Sequence, residues 1–100
     1  MLKIAINENG ELVLAGRFYA SQLKKVKPFF SAIKTSTVID CRELEFISSV
    51  GLELLLFTQK RLNESGQRLK LINRNTFIRD VFHHAGFDAV FDREGKAPAP

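Results

Sequence analysis

The chain reads as a small α/β domain in which a mixed β-sheet opens with a hairpin, continues in parallel strands and is covered by three to four helices. Three observations predict this. Leu2–Ile6 and Glu11–Ala15 are short strand-like runs on either side of the turn cluster Asn7-Glu8-Asn9-Gly10. From Ala20 onward, helix-period segments alternate with short apolar or β-branched runs, the order that places parallel strands across right-handed helical connections. Finally, 100 residues of 45% apolar composition supply one core and little material for a second.

Taken in order, the hairpin is expected to stop at Gly16. Leu23, Val26, Phe30 and Ile33 then step by helical spacing, which predicts a helix from Ala20 to Ile33 with Ser21 as its cap. Pro28 within it removes an amide donor, so this helix is kinked or falls into two shorter pieces. Thr37–Cys41 is a buried central strand that runs into a loop. The longest helical pattern spans Ser48 to Ser65, with Leu52, Leu55, Leu56 and Leu62 inward and Ser65-Gly66 as its stop. Arg68–Ile72 is a further strand. Asn73 or Asn75 caps a helix whose core face is Phe77, Ile78, Val81, Phe82 and Ala85 and which ends at Gly86. Ala89–Phe91 reads as a last edge strand. One domain covers 1–92, and 93–100, with its prolines and glycine, is a loose tail.

Composition narrows the function. No apolar stretch approaches the ~20 residues of a membrane helix, and Met1–Ile4 does not open a secretory signal. The single Cys41 cannot form an internal disulfide and suits a reducing cytoplasm. A net charge of +4 comes with one dense basic cluster, Lys24-Lys25-Val26-Lys27, which reads as a solvated helix face rather than a nucleic-acid stripe. His83 and His84 are adjacent and so diverge on a helix, and no Cys/His/carboxylate group has metal-ligand spacing. Asp40 has no second acid, lysine or histidine evidently placed beside it, and no nucleophile, base and oxyanion site assembles, so an enzyme is not expected, nor a cofactor.

The segment with the sharpest pattern is Val38-Ile39-Asp40 followed by Leu44-Glu45-Phe46-Ile47-Ser48-Ser49-Val50-Gly51-Leu52. Two serines stand where a long helix begins. A helix start leaves backbone amides without partners and carries partial positive charge, so a serine there caps the amides. A phosphate on such a serine adds about −1.5 to −2 charge, enough to break a fitted interface without unfolding the domain.

These residues, with Glu64-Ser65-Gly66, Leu69-Lys70-Leu71-Ile72-Asn73 and Val81-Phe82…Ala85-Gly86-Phe87, resemble the STAS family of anti-sigma-factor antagonists and their relatives, from Leu2 to Phe91. The resemblance implies the STAS fold. It places Phe46 and Ile47 on the family's apolar pair, Ser49 on its phosphorylated serine, and Gly51 and Leu52 on the residues that follow. It implies a bacterial, cytoplasmic partner-switching regulator that binds a serine kinase/anti-sigma factor, loses it on phosphorylation of Ser49, and is reset by a serine phosphatase. Two positions depart from the family pattern: Ser48 replaces the usual aspartate, and Tyr19 stands where many antagonists are acidic. Ser48 is thus the candidate cap and Ser49 the candidate acceptor. The partner-facing surface is expected to comprise Arg17, Phe18, Tyr19, Ser48, Ser49, Val50 and Gly51, with Leu54 and Phe57 as an adjoining apolar patch. The other role the family offers is a scaffold subunit, as in a lipid-transport ATPase or a stress-sensing assembly, that docks without phosphate.

Overall fold

A computed structural model describes residues 2–91. The hairpin forms as expected: β1 (Lys3–Ile6) runs antiparallel to β2 (Leu12–Phe18), with Ile6 opposite Leu12. β2 does not stop at Gly16. That residue lies inside the strand at φ 93°, a conformation open to glycine.

After β2 a single 3₁₀ turn (Ala20–Gln22) leads into α1 (Leu23–Ser31). Ser21 is not the cap. The buried Gln22 side chain accepts a hydrogen bond from the Tyr19 amide at 2.9 Å and closes the turn instead. The segment therefore divides before Pro28, and α1 continues through the proline. Val26 and Phe30 face the core, while Phe29 is exposed.

The central strand β3 is much longer than its sequence pattern suggests, extending from Thr37 to Ile47 and parallel to β2. Val13 pairs with Asp40 but Ala15 with Glu43, and Gly16 pairs with Leu44 but Arg17 with Phe46. At each shift β3 carries one extra residue, so its inward side chains change parity along Ile39, Cys41, Leu44 and Ile47. The two bulges erase the period-two signal beyond Cys41, which is why that stretch reads as a loop.

Helix α2 (Ser49–Asn63) follows β3 with only Ser48 between them. Leu52, Leu55 and Leu62 are buried as the pattern predicts, and Leu54 joins them. Arg61 donates to the carbonyls of Ile33 at 2.8 Å and Phe30 at 2.9 Å, fastening α2 to the end of α1. β4 (Leu69–Ile72) is parallel to β3, and the sheet order among the described residues is β1-β2-β3-β4.

Helix α3 (Thr76–His84) is capped by Asn75, whose side chain accepts from the Ile78 amide at 2.8 Å and donates to the Leu44 carbonyl at 2.9 Å. Ile78 and Phe82 are buried, whereas Phe77 and Ala85, both expected on the core face, are exposed. Phe77 through Ala85 carry more apolar side chains than one helix stripe can bury, and the flanks of the stripe are left outside. The expected edge strand at Ala89–Phe91 is instead a helical turn, α4 (Asp88–Phe91). Its Phe91 is buried edge-to-face on Phe82, with ring centroids 5.3 Å apart. The outward main-chain groups of Leu69 in β4 are already held by the Gln59 side chain, which takes the place a neighbouring strand would occupy at that residue. The expected tail, 93–100, lies outside the described residues.

Candidate functional site

The site is built where β3 hands over to α2. The Ser48 amide donates to the Phe18 carbonyl at 2.9 Å, which ties this junction to the end of β2. Ser48 holds an extended backbone (φ −77°, ψ 167°), and its Oγ accepts from the Gly51 amide at 3.1 Å. It is the helix cap. Ser49, the first residue of α2, is exposed, and no acidic side chain lies in the first helical turn.

Beneath the serines the packing is tight. Gly51 is buried, and a Cβ there would lie 2.8 Å from Ile47 Cγ1 and 3.0 Å from Phe18 Cδ2. Phe18 is fully buried. These two residues shape the surface from below and are corrected as direct partner contacts. The same burial applies to Leu54, which is 9% exposed.

The surface that does face solvent is aromatic. Tyr19, 41% exposed, lies 5.5 Å from the Phe46 ring, and Phe46 lies 6.4 Å from the stacked ring of Phe77, itself 48% exposed. Tyr19 comes from the link between β2 and the 3₁₀ turn, Phe46 from β3 and Phe77 from α3, so three separate segments contribute to one row. Arg17 flanks it, with Nε 3.5 Å from Glu45 and Nη1 3.4 Å from the Tyr19 hydroxyl. Hydrogen bonding to Tyr19, then to Glu45, raises the pKa of this guanidinium further, so its charge is permanent. On the other side a groove between α2 and α3 is lined by Ser49, Leu52, Phe77, Asp80, Val81 and His84.

Of the sequence-expected partner residues, Arg17, Tyr19, Ser48, Ser49 and Val50 come together around the helix start. Phe57 does not. It is 67% exposed but lies about 12 Å further along α2, where it borders a groove with Lys27 and Lys60. Phe77, Asp80, Val81 and His84 were not expected at this site. For Phe77 and Val81 the available signal was the breadth of the α3 apolar pattern, which leaves side chains over on its flank, whereas Asp80 and His84 carried none.

Asp40 is remote from the serines. Its Oδ1 accepts from the Arg42 amide at 2.9 Å and from Asn73 Nδ2 at 3.1 Å, and the extended strand from Asp40 to Ile47 is about 23 Å long, so its role is local structure. Burial pushes the Cys41 thiol up to about 12. Among the described residues no group of three His, Cys, Asp or Glu side chains is arranged to hold a metal ion. Nor is any described helix long and apolar enough to cross a membrane.

A helix-covered mixed sheet of this order, opened by an antiparallel hairpin and continued in parallel strands, is the fold of the STAS domain. Residues 4–92 match the family model described as "Mlab, STAS domain", and the chain belongs to the STAS domain family. It is 35% identical over 66 residues to the putative anti-sigma factor antagonist BtrV of Bordetella bronchiseptica, a match covering 62% of this chain and 57% of that protein. The chain therefore spans less than two thirds of the length of that relative. Among solved structures it is similar to the anti-sigma factor antagonist SpoIIAA in its unphosphorylated form, with a TM-score of 0.69 at 19% identity over 91% of this chain and 85% of that one. Bacillus SpoIIAA in its phosphorylated form gives 0.65 at 19% identity, covering 91% and 88%. A STAS domain protein from Planctomyces limnophilus gives 0.68 at 20% identity, covering 90% and 85%. At these identities the structural likeness establishes the fold.

Proposed function

We propose that the chain is a non-catalytic, cytoplasmic regulator of the anti-sigma-factor-antagonist type, which binds a serine kinase/anti-sigma partner through the surface around Ser49 and releases it when Ser49 is phosphorylated. The observation that carries this reading is the division of labour between the two serines. Ser48 takes the cap, and Ser49 stands exposed beside the aromatic row Tyr19–Phe46–Phe77. In the switching step the γ-phosphoryl group of ATP passes to Ser49 Oγ, ADP leaves, and the hydroxyl proton goes to a base on the kinase. A phosphatase then hydrolyses the ester to restore serine and free phosphate.

The new charge, about −1.5 to −2, would stand at the mouth of the groove lined by Leu52, Phe77, Asp80, Val81 and His84, where the unmodified face is neutral at Ser49. A partner fitted to the unmodified face then meets an unpaired charge on desolvation, which costs several kcal/mol in such an interface. Similarity to the putative antagonist BtrV supports the assignment, as does the fold shared with SpoIIAA, an antagonist solved in both phosphorylation states.

The test is a pull-down and titration with the kinase from the native cell. Ser49→Ala should bind like the natural chain, and Ser49→Glu should lose at least tenfold in affinity. Equal binding by both variants rejects the phospho-switch. The aromatic row would equally serve a scaffold subunit, such as one in a lipid-transport ATPase or stress-sensing assembly, that docks without phosphate. Capture of such a partner, with Ser49 unmodified under every growth condition by mass spectrometry, would favour that reading.

A further inference from the structure

The two edges of the sheet are treated differently. At the β4 edge, the Thr37 amide bonds the Arg68 carbonyl, so by alternation Leu69 turns its main-chain groups outward. Both are taken by the Gln59 side chain, which accepts from the Leu69 amide at 2.7 Å and donates to its carbonyl at 3.0 Å. That glutamine is 2% exposed, so a buried polar side chain closes this edge. At the opposite edge, the Asn7 amide bonds the Glu11 carbonyl at 3.0 Å, so Lys3 and Ala5 face β2 while Ile4 and Ile6 turn their amides and carbonyls away from it. Among the described residues, β1 pairs with β2 alone. Ile6 at this edge is 72% exposed, the most exposed large apolar side chain of the described residues.

An open edge with an exposed isoleucine is a template for another strand unless it is charged or covered. Lys3 is the charge on β1, but its side chain lines a cleft on the open face of the sheet with Ala15 and Glu43 rather than guarding the edge. The edge is also complementary to itself. In an antiparallel, two-fold pairing, Ile4 of one copy can lie opposite Ile6 of the other, with Ala5 opposite Ala5 on the two-fold axis. Both outward-facing residues then exchange hydrogen bonds, and each exposed Ile6 packs on the half-buried Ile4 of its neighbour, on the helix-bearing face of the sheet. In this register Lys3 lies opposite Asn7, so the two Lys3 ammoniums stand far apart, and no like charges meet. A register opposing Lys3 to Ala5 would bring them onto a close diagonal.

We propose that β1 is a homodimerisation edge, through which two copies join their sheets into one continuous sheet of eight strands. A four-residue strand buries little area, so the association is weak, with a dissociation constant on the order of 0.1 mM. It lies on the far side of the sheet order from β4 and does not depend on the state of Ser49.

The experiment is sedimentation equilibrium of the full chain from about 10 µM to 1 mM, with Ile6→Lys, Ile4→Pro and Phe57→Ala alongside. The natural chain should dimerise reversibly, and Phe57→Ala should do the same. Ile6→Lys should weaken association more than tenfold while its circular dichroism and melting temperature stay near those of the natural chain. Ile4→Pro removes an outward amide that β2 does not use, so it should also be monomeric. Should that variant misfold, Ile6→Lys alone decides the matter. A natural chain that stays monomeric to 1 mM overturns the proposal, and so does a dimer that Ile6→Lys leaves equally tight.

Discussion

The side-chain amide of Gln59, in the middle of α2, takes both outward main-chain groups of Leu69 as a neighbouring strand would, at 2.7 and 3.0 Å. One buried residue thus fixes the spacing between the central helix and the last strand. A second contact to the Val90 carbonyl at 3.4 Å brings α4 to the same point. Replacing this residue, Gln59→Leu, removes the bonds and leaves a buried amide and carbonyl unpaired. The expected loss is about 2–3 kcal/mol, seen as a fall of roughly 10 °C or more in melting temperature. Urea unfolding measures it directly.

The glycine that lets α2 start so close to β2 should tolerate no side chain. For Gly51→Ala the added methyl would lie 2.8 Å from Ile47 and 3.0 Å from Phe18, both buried. Overpacking of this kind costs about 1–3 kcal/mol. It should also displace the first turn of α2, so amide shifts at Ser48 and Ser49 are expected in the NMR spectrum of a variant that still folds.

The two serines should separate in stability measurements. Ser48→Ala removes the acceptor of the Gly51 amide and should cost about 1 kcal/mol. Ser49→Ala, at an exposed position, should stay within about 0.5 kcal/mol of the natural chain. Equal losses in the two denaturation curves would contradict the assignment of the cap to Ser48.

Cys41 provides a pH test. Its folded-state pKa is raised by burial from 9.0 to about 12, so the folded form resists ionisation that the unfolded chain undergoes. The sign follows: this group's contribution is fully present below pH 9, and stability falls as pH rises from there toward 12. Cys41→Ala should flatten that part of the stability profile. The native thiol should also react with a disulfide reagent at pH 8 only at the rate of global opening.

The hairpin, the parallel strands, α2 and its cap were legible because each rests on local pattern: alternation, helical period, a serine before an apolar run. The second half of β3 was not, because two bulges switch which of its side chains face inward. The turn at Ala20–Gln22 was obscured for a related reason, since its closing residue is a buried glutamine rather than the serine that composition favours. Ala89–Phe91 has strand-like residues, and only the occupied edge of β4 and the Phe82 ring decide that it coils. At the site, the helix start marked Ser48 as a cap, and Ser49 was singled out by the family resemblance rather than by local pattern. The row Tyr19–Phe46–Phe77 could not, because its members are distant in sequence and meet only once β3 is extended past Cys41.

Because β3 passes into α2 with a single residue between them, the Ser49 hydroxyl is mounted directly at the junction of the longest strand and the longest helix of the described residues. It has no hinge of its own. Chemistry at that oxygen can alter what the protein displays, yet it has little means of altering the protein's shape, so any message it carries must be read by touch at that spot rather than relayed through the fold.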